Sequence, residues 1–398
     1  LELERAVRKT VISNNALLII GIVFVAFNLR PAITAVGPLI SSIRFDLGIS
    51  NGVAGFITTL PLLSFACFSL IAPRFGRKIG NEKLVLIGLI VLASGIVIRS
   101  TGLLFTLLLG TSMIGIGIAV GNVLLPSIVK SRFPEKVGLI TGLYTLSMNT
   151  FAAMGTGLSV PLAETLHFGW RNSLLTWVLM AIAAIMIWFP QINKQTEMNL
   201  TQIKTKTSLW RSGIAWQVTL FMGLQSLLFY STVAWFPEIL ISYGISASLS
   251  GWMVSIMQLV GVPFAFLTPI LASKLKTQIS IVIVISVNYF VGLLILLVST
   301  NVILLMISII LIGMAQGAVI SLSLTLLSLR ASNSEEAGQL SGMAQSFGYG
   351  LAAIGPTFIG LIYDFTRSWT FAIYVLLFVV VLMLLFGFGA GRDKFVQQ

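Results

Sequence analysis

An arginine followed directly by a proline, Arg30-Pro31, stands in the middle of a long apolar run that extends from Asn15 to about Pro38. A guanidinium keeps its charge at any accessible pH, and placing one near the centre of a bilayer costs about 2.5–3.5 kcal/mol on insertion scales. Arg30 therefore requires a partner or a water-filled cavity. Pro31 lacks an amide hydrogen and clashes with the carbonyl of Phe27 one turn earlier, so the helix is expected to kink and to release a polar carbonyl beside the charge. The chemistry predicted for this pair is capture of an anionic or strongly dipolar solute in a central cavity. A structural role competes with it, in which Arg30 is held by the carbonyls freed at the kink and by Asn28.

The acids sharpen the choice. Glu2, Glu4, Glu82, Glu135, Glu197, Glu335, Glu336 and Asp393 fall in the Lys/Arg-rich breaks, and Asp46, Glu164, Glu238 and Asp364 in the opposite ones. None is deep in an apolar run, so Arg30 has no intramembrane counter-ion in the sequence, and an unpaired buried cation is the costly case. The solute is the natural source of the missing charge. The same distribution argues against a proton relay built from buried Asp, Glu or His. Uncharged polar groups near mid-run complete the expected lining: Asn28, Asn122, Tyr144, Asn149, Gln225, Tyr230, Gln258, Gln316, Gln345 and Tyr349. Amides and phenols orient a small polar solute without burying another charge. Some of these are expected to bridge helices instead, the usual fate of a lone buried amide.

The elements that must position these groups follow from composition. At 57% hydrophobic and 9% charged over 398 residues, the chain lies far outside the range of soluble domains, in which about a quarter of residues are charged. Runs long enough to cross a bilayer recur twelve times, over 15–38, 51–72, 83–99, 103–127, 137–161, 172–190, 213–237, 249–272, 279–298, 302–328, 337–362 and 369–389. The first run is too long for a signal-peptide core and is expected to be retained as a span. The prediction is an all-α membrane protein, with two six-helix bundles, 1–190 and 213–398, joined by a cytoplasmic linker over 191–212. Arg99-Ser100-Thr101-Gly102 and Ser299-Thr300-Asn301 are expected to be tight hairpins. Gly117 and Gly121, one helical turn apart, read as packing positions.

The net charge of +12 comes from residues scattered singly or in small groups through the breaks, so it does not describe a nucleic-acid surface. Most of the 24 Lys and Arg fall in alternate breaks, leaving only Arg44, Arg99, Arg171 and Arg367 for the other side. The positive-inside rule then places both termini in the cytoplasm. Cys67 and His167 are the only residues of their types, which excludes internal disulfides and thiolate or imidazole metal clusters. No nucleotide-binding loop and no catalytic Ser/His/Asp set is present, so neither an ATP-driven pump nor an enzyme is supported, and no cofactor is expected.

The twelve runs, the central linker and the basic turn Arg74-Phe75-Gly76-Arg77-Lys78-Ile79-Gly80 resemble the major facilitator superfamily. In that resemblance Arg74, Gly76, Arg77 and Lys78, with Pro31, are gating residues. Pro73 stands where the family's turn carries an acid, which implies that the gate beside it is held differently. Asn28-Leu29-Arg30-Pro31-Ala32, Gly121-Asn122-Val123-Leu124-Leu125-Pro126, Gly169-Trp170-Arg171 and Gly342-Met343-Ala344-Gln345-Ser346 are similar to the cyanate permease and nitroimidazole transporter group. The resemblance implies a carrier in a bacterial plasma membrane, monomeric, that uses alternating access to move a small anionic or polar solute. An efflux carrier for nitroimidazole-like compounds is the alternative it leaves open.

Overall fold

The computed structural model describes residues 15–49, 51–192 and 209–396. No strand occurs among them. Eleven helices are long and apolar enough to cross a membrane, and a twelfth span is counted when one bent pair is taken together. The spans are Asn15–Leu39 (one), Asn81–Arg99 (three), Leu104–Arg132 (four), Pro134–Glu164 (five), Gly169–Gln191 (six) and Gly213–Ser242 (seven). Trp252–Lys274 (eight), Ile279–Val298 (nine), Val302–Leu329 (ten), Ser334–Tyr363 (eleven) and Trp369–Ala390 (twelve) follow. Several of the middle spans run a turn or more past the expected ends. The linker expected over 191–212 lies for the most part outside the described residues.

Span two departs from the straight run expected over 51–72. Its helix stops at Ser69, and a second helix, Ala72–Ile79, leaves at 53°. The basic stretch expected as a turn is therefore mostly helical. Pro73 sits in the first turn of the short helix, where a missing amide hydrogen does no harm.

Five helices of the second half begin with side-chain caps. Ser212, Ser246, Asn301, Asn333 and Ser368 accept from backbone amides two or three residues ahead, which satisfies donors that the first turn leaves unpaired. These caps set where the helices start, which for span eight is Ala247.

Span five lies along span eight, and spans two and four lie along span eleven. On the Lys/Arg-rich side of Arg30, these contacts bury spans five and eleven on nearly every face. On the other side, Met154, Leu158, Ile354 and Phe358 of the same helices are exposed. The closure between the halves thus lies between Arg30 and the basic end.

Backbone carbonyls released by prolines and by the break in span two make that closure. A helical carbonyl normally accepts from the amide four residues on, and proline has none. Pro126 frees the carbonyl of Asn122, which accepts from Gln345 Nε2 of span eleven at 2.7 Å. Pro269 frees that of Ala265, which accepts from Thr145 Oγ1 of span five at 2.9 Å. At the break in span two, the Ala66 carbonyl accepts from the Ser346 hydroxyl of span eleven. Each of these bonds joins the first half of the chain to the second.

Candidate functional site

Span one is helical from Asn15 to Ala26, loosens over Phe27–Arg30 and resumes at Pro31–Thr34. The amides of Asn28 and Leu29 turn back only three residues, to Val25 and Ala26, and the Arg30 carbonyl accepts from Ile33 and Thr34. This is the interruption that Pro31 dictates. Pro31 is packed against Gly155 of span five, where an added Cβ would come 2.9 Å from the proline Cα.

Arg30 reaches from this interruption toward span five. Its Nη1 donates to Asn149 Oδ1 at 3.1 Å, and the guanidinium carbon lies 5.0 Å from the centre of the Phe229 ring on span seven. The ring offers its negative face to the cation. No carboxylate forms an ion pair with Arg30 among the described residues.

Two open spaces, of about 370 and about 390 Å³, share Arg30 and Phe229 as a common wall. The first is faced by Asn149, Gln258 and Gln316 and by the backbone of Gly261, Gly313 and Gly317. The second is faced by Asn122, Phe65, Tyr230 and Tyr349. Arg30, Asn122, Asn149, Tyr230, Gln258, Gln316 and Tyr349 are therefore brought together around one cleft. Gln316 is held in place by Thr232 Oγ1 at 2.6 Å and by the Tyr289 hydroxyl at 3.1 Å.

The other four expected lining residues face elsewhere. Asn28 donates to the carbonyls of Phe24 and of Met180 on span six, so it bridges helices behind the cleft. Gln225 is buried and donates to Ser226, and Tyr144 is buried with its hydroxyl unpartnered. Neither lines the cleft. Gln345 is spent on the Asn122 carbonyl and on Ser341. A polar residue at mid-span has two ways to be satisfied, and the spacing along one helix does not say which neighbour it meets.

A buried cation corrects the expectation for Arg99. Read as part of an outer loop, it is in fact 1% exposed, and its Nη1 donates to the carbonyl of Ala32. The Val36 amide, the regular partner for that carbonyl, turns instead to Ile33. Arg99 therefore fastens span three to the irregular segment that carries Arg30. Among the described residues its Nε and Nη2 have no partner. Phe229 and Phe65 were likewise absent from the expected lining, because an aromatic in an apolar helix carries no positional signal of its own.

At the basic end, Arg77 of the short helix pairs with Glu335 of span eleven at 3.3 Å, so a charge contact joins the halves although Pro73 replaces the family's acid. Arg74 and Lys78 are exposed, and Gly76 is packed over Asn81 and Leu124. Glu82, which the sequence places in a Lys/Arg-rich break, is buried and paired with Arg132 at 3.0 Å. At the opposite end Asp46 accepts from Arg171 at 2.7 Å and from Trp170 Nε1 at 3.0 Å. Those bonds hold the Asp46 carboxyl below its usual range. Among the described residues no group of three or more His, Cys, Asp or Glu is placed to hold a metal ion.

A cleft enclosed by helices of both halves, charged at its centre and sealed at one end, is the architecture of a membrane carrier. The chain belongs to the Major Facilitator Superfamily, whose family model matches residues 18–356, and whose members are transporters and not enzymes. It is 52% identical over 381 residues to the uncharacterized transporter YycB of Bacillus subtilis, covering 96% of this chain and 95% of that one. It is 38% identical to the 2-nitroimidazole transporter of Escherichia coli, over 96% of this chain and 98% of that one. Identity to the cyanate transport protein CynX of Escherichia coli is 25%, over 89% and 93%. The fold matches the proton:xylose symporter XylE with a TM-score of 0.76 over 96% of this chain and 98% of that one, at 13% identity. It matches the human organic anion transporter MFSD10 at 0.72, over 94% and 99%, at 12% identity. The protein is a multi-pass transporter of the cell membrane.

Proposed function

We propose that the protein is a secondary carrier that moves a small anionic or polar solute, cyanate-like or a small organic anion, with residues 1–190 and 213–398 rocking alternately about Arg30. The observation that carries this reading is the setting of Arg30. The guanidinium stands on the wall of an open cleft, positioned by Asn149 and Phe229 and, among the described residues, without a carboxylate to neutralise it. An anion at its free edge supplies the charge-assisted, two-pronged bond that arginine geometry favours.

In this reading the Lys/Arg-rich end faces the cytoplasm, so the described closure is the inner gate, with Pro31 as the kink behind the site. Arg77 fastens that gate to Glu335, and Gly76 lets its short helix pack closely. Arg74 and Lys78 face the headgroups. The carrier works as a monomer in a bacterial plasma membrane. Carrying one negative charge inward against an inside-negative potential costs about 2.3 kcal/mol per 100 mV. Export or exchange therefore suits the site better than unaided uptake.

A second reading, efflux of nitroimidazole-like compounds, is favoured by the aromatic side of the cleft and by the 38% identical relative. A binding screen of the purified protein against cyanate, nitrite, short carboxylates and nitroimidazoles, repeated on Arg30→Ala and Arg30→Lys, separates the two. Anion binding that disappears in both variants supports the first reading. Nitroimidazole binding that survives in both supports the second and removes Arg30 from the site.

A further inference from the structure

The two spaces that meet at Arg30 differ in chemistry. One is walled by amides and glycine backbone, the other by rings. Four aromatic side chains from three spans form a continuous series along the second. The centres of Phe229 and Tyr230 are 5.1 Å apart at 89°, those of Tyr230 and Tyr349 are 6.3 Å apart at 61°, and those of Tyr349 and Phe65 are 3.8 Å apart at 31°. Edge-to-face and tilted contacts of this kind continue naturally onto another flat ring. Among the described residues, no protein hydrogen bond engages the hydroxyls of Tyr230 and Tyr349, so both remain available as well.

The lining points the same way, since Phe65, Tyr230 and Tyr349 border the space beside Arg30 and offer an ion of two or three heavy atoms no polar partner beyond the phenols and Asn122. The head of the ligand has its own place. With one face of the guanidinium over Phe229 and Nη1 on Asn149, the remaining Arg30 donors are on its edge. Asn149 turns its oxygen to Arg30 and leaves Nδ2 beside it, without a partner among the described residues. An oxyanion at that edge meets donors from both residues.

We infer that the solute is an aromatic oxyanion, with its ring among Phe65, Tyr230 and Tyr349 and its carboxylate, or an equivalent oxyanion, on Arg30 and Asn149. The inference rests on the reading of Arg30 as the anion receptor and narrows it. It selects against bare inorganic anions, for which the ring-lined space has no use, and against neutral rings, which leave Arg30 uncompensated.

The experiment is calorimetric titration of the full chain in lipid nanodiscs with benzoate, cyclohexanecarboxylate, nitrite and benzamide. Benzoate and cyclohexanecarboxylate share a charge and nearly a size, so their ratio isolates the contribution of the flat ring. Each aromatic contact contributes about 2- to 12-fold, and benzoate is expected to bind tighter than cyclohexanecarboxylate by at least that factor. Tyr349→Leu is expected to move the ratio toward one. Tyr230→Leu, which lies within the second half and does not disturb the Phe65–Tyr349 contact between halves, provides the same test if the first variant folds poorly. Equal affinity for benzoate and cyclohexanecarboxylate, or nitrite binding as tightly as benzoate, with all binding lost in Arg30→Met, overturns the aromatic inference and leaves the anion reading in place. Benzamide binding equal to benzoate binding, with both retained in Arg30→Met, overturns the anion reading itself.

Discussion

Replacing Gln345 by leucine is expected to open the basic end of the cleft far more than cutting the visible salt bridge there. The reason is the state of the Asn122 carbonyl. Pro126 denies it the usual helical partner, and Gln345 Nε2 supplies the substitute at 2.7 Å from a fully buried side chain. Gln345→Leu leaves that carbonyl buried and unpaired in the closed state, which costs about 1–3 kcal/mol, or about 5- to 160-fold in the population of the open state. The Arg77–Glu335 pair is about 40% exposed on both sides (39% and 41%), and exposed pairs are worth about 0.2–1 kcal/mol, so Arg77→Ala is expected to shift the same equilibrium by only about 1.4- to 5-fold. Maleimide labelling of a buried reporter reads the difference. Gly338→Cys in a Cys67→Ser background serves as that reporter, because an added Cβ there meets Ser127 atoms at 3.5 Å, an ordinary contact, and Cys67 is the only native cysteine. Adding Pro126→Ala to Gln345→Leu returns an amide hydrogen to Asn122, and labelling is expected to slow to about 2- to 12-fold above the parent, the share of the hydrogen bond alone. Equal acceleration by Arg77→Ala and Gln345→Leu, or a double variant that Pro126→Ala fails to slow, would show that the Asn122 carbonyl does not hold the closure.

Three further outcomes follow from charges outside the cleft. Arg330 is buried beyond the end of span ten, where burial lowers its pKa and Asp393 partly restores it; it donates to Gln278 and to the Ala390 carbonyl. Arg330→Met loses two charge-assisted bonds worth about 1.5–3 kcal/mol each and is expected to lower the thermal transition clearly. Asp46 titrates below its unfolded value because Arg171 and Trp170 bind its charged form, so its stabilising contribution is present above about pH 4 and is lost as pH falls through the depressed value. Asp46→Asn is therefore expected to shift the melting temperature equally at about pH 6 and about pH 8, and to lose its effect in strong acid. A difference between those two neutral conditions would mean that another group controls this end.

Much of the fold was legible because the bilayer demands long apolar helices and proline announces its own effect. The break at Arg30-Pro31 follows from one missing amide hydrogen, and it occurs where the sequence places it. Six of the ten uncharged polar residues expected in the lining border the cleft together with Arg30, and the other four bridge helices or are buried behind it. What could not be read was which helix each one faces. Gln345 is polar and central, yet its side chain donates to the backbone carbonyl of Asn122 across the halves, and only the tertiary arrangement sets that pairing. Arg99 was misread because Arg99-Ser100-Thr101-Gly102 has the composition of a loop. Its side chain turns inward to a carbonyl that exists as a free acceptor only because span one is irregular at Ala32. The contact between Arg77 and Glu335, 258 residues apart, is equally invisible in one dimension.

The central claim is that Arg30 receives the transported charge. Its most direct test is the current recorded from proteoliposomes on a solid-supported membrane when an anion gradient is imposed, for the parent protein and for Arg30→Met at matched thermal stability. A transient current is expected from the parent and none above background from Arg30→Met. An undiminished current from the variant would contradict the claim and return Arg30 to the role of a structural cation in a broken helix.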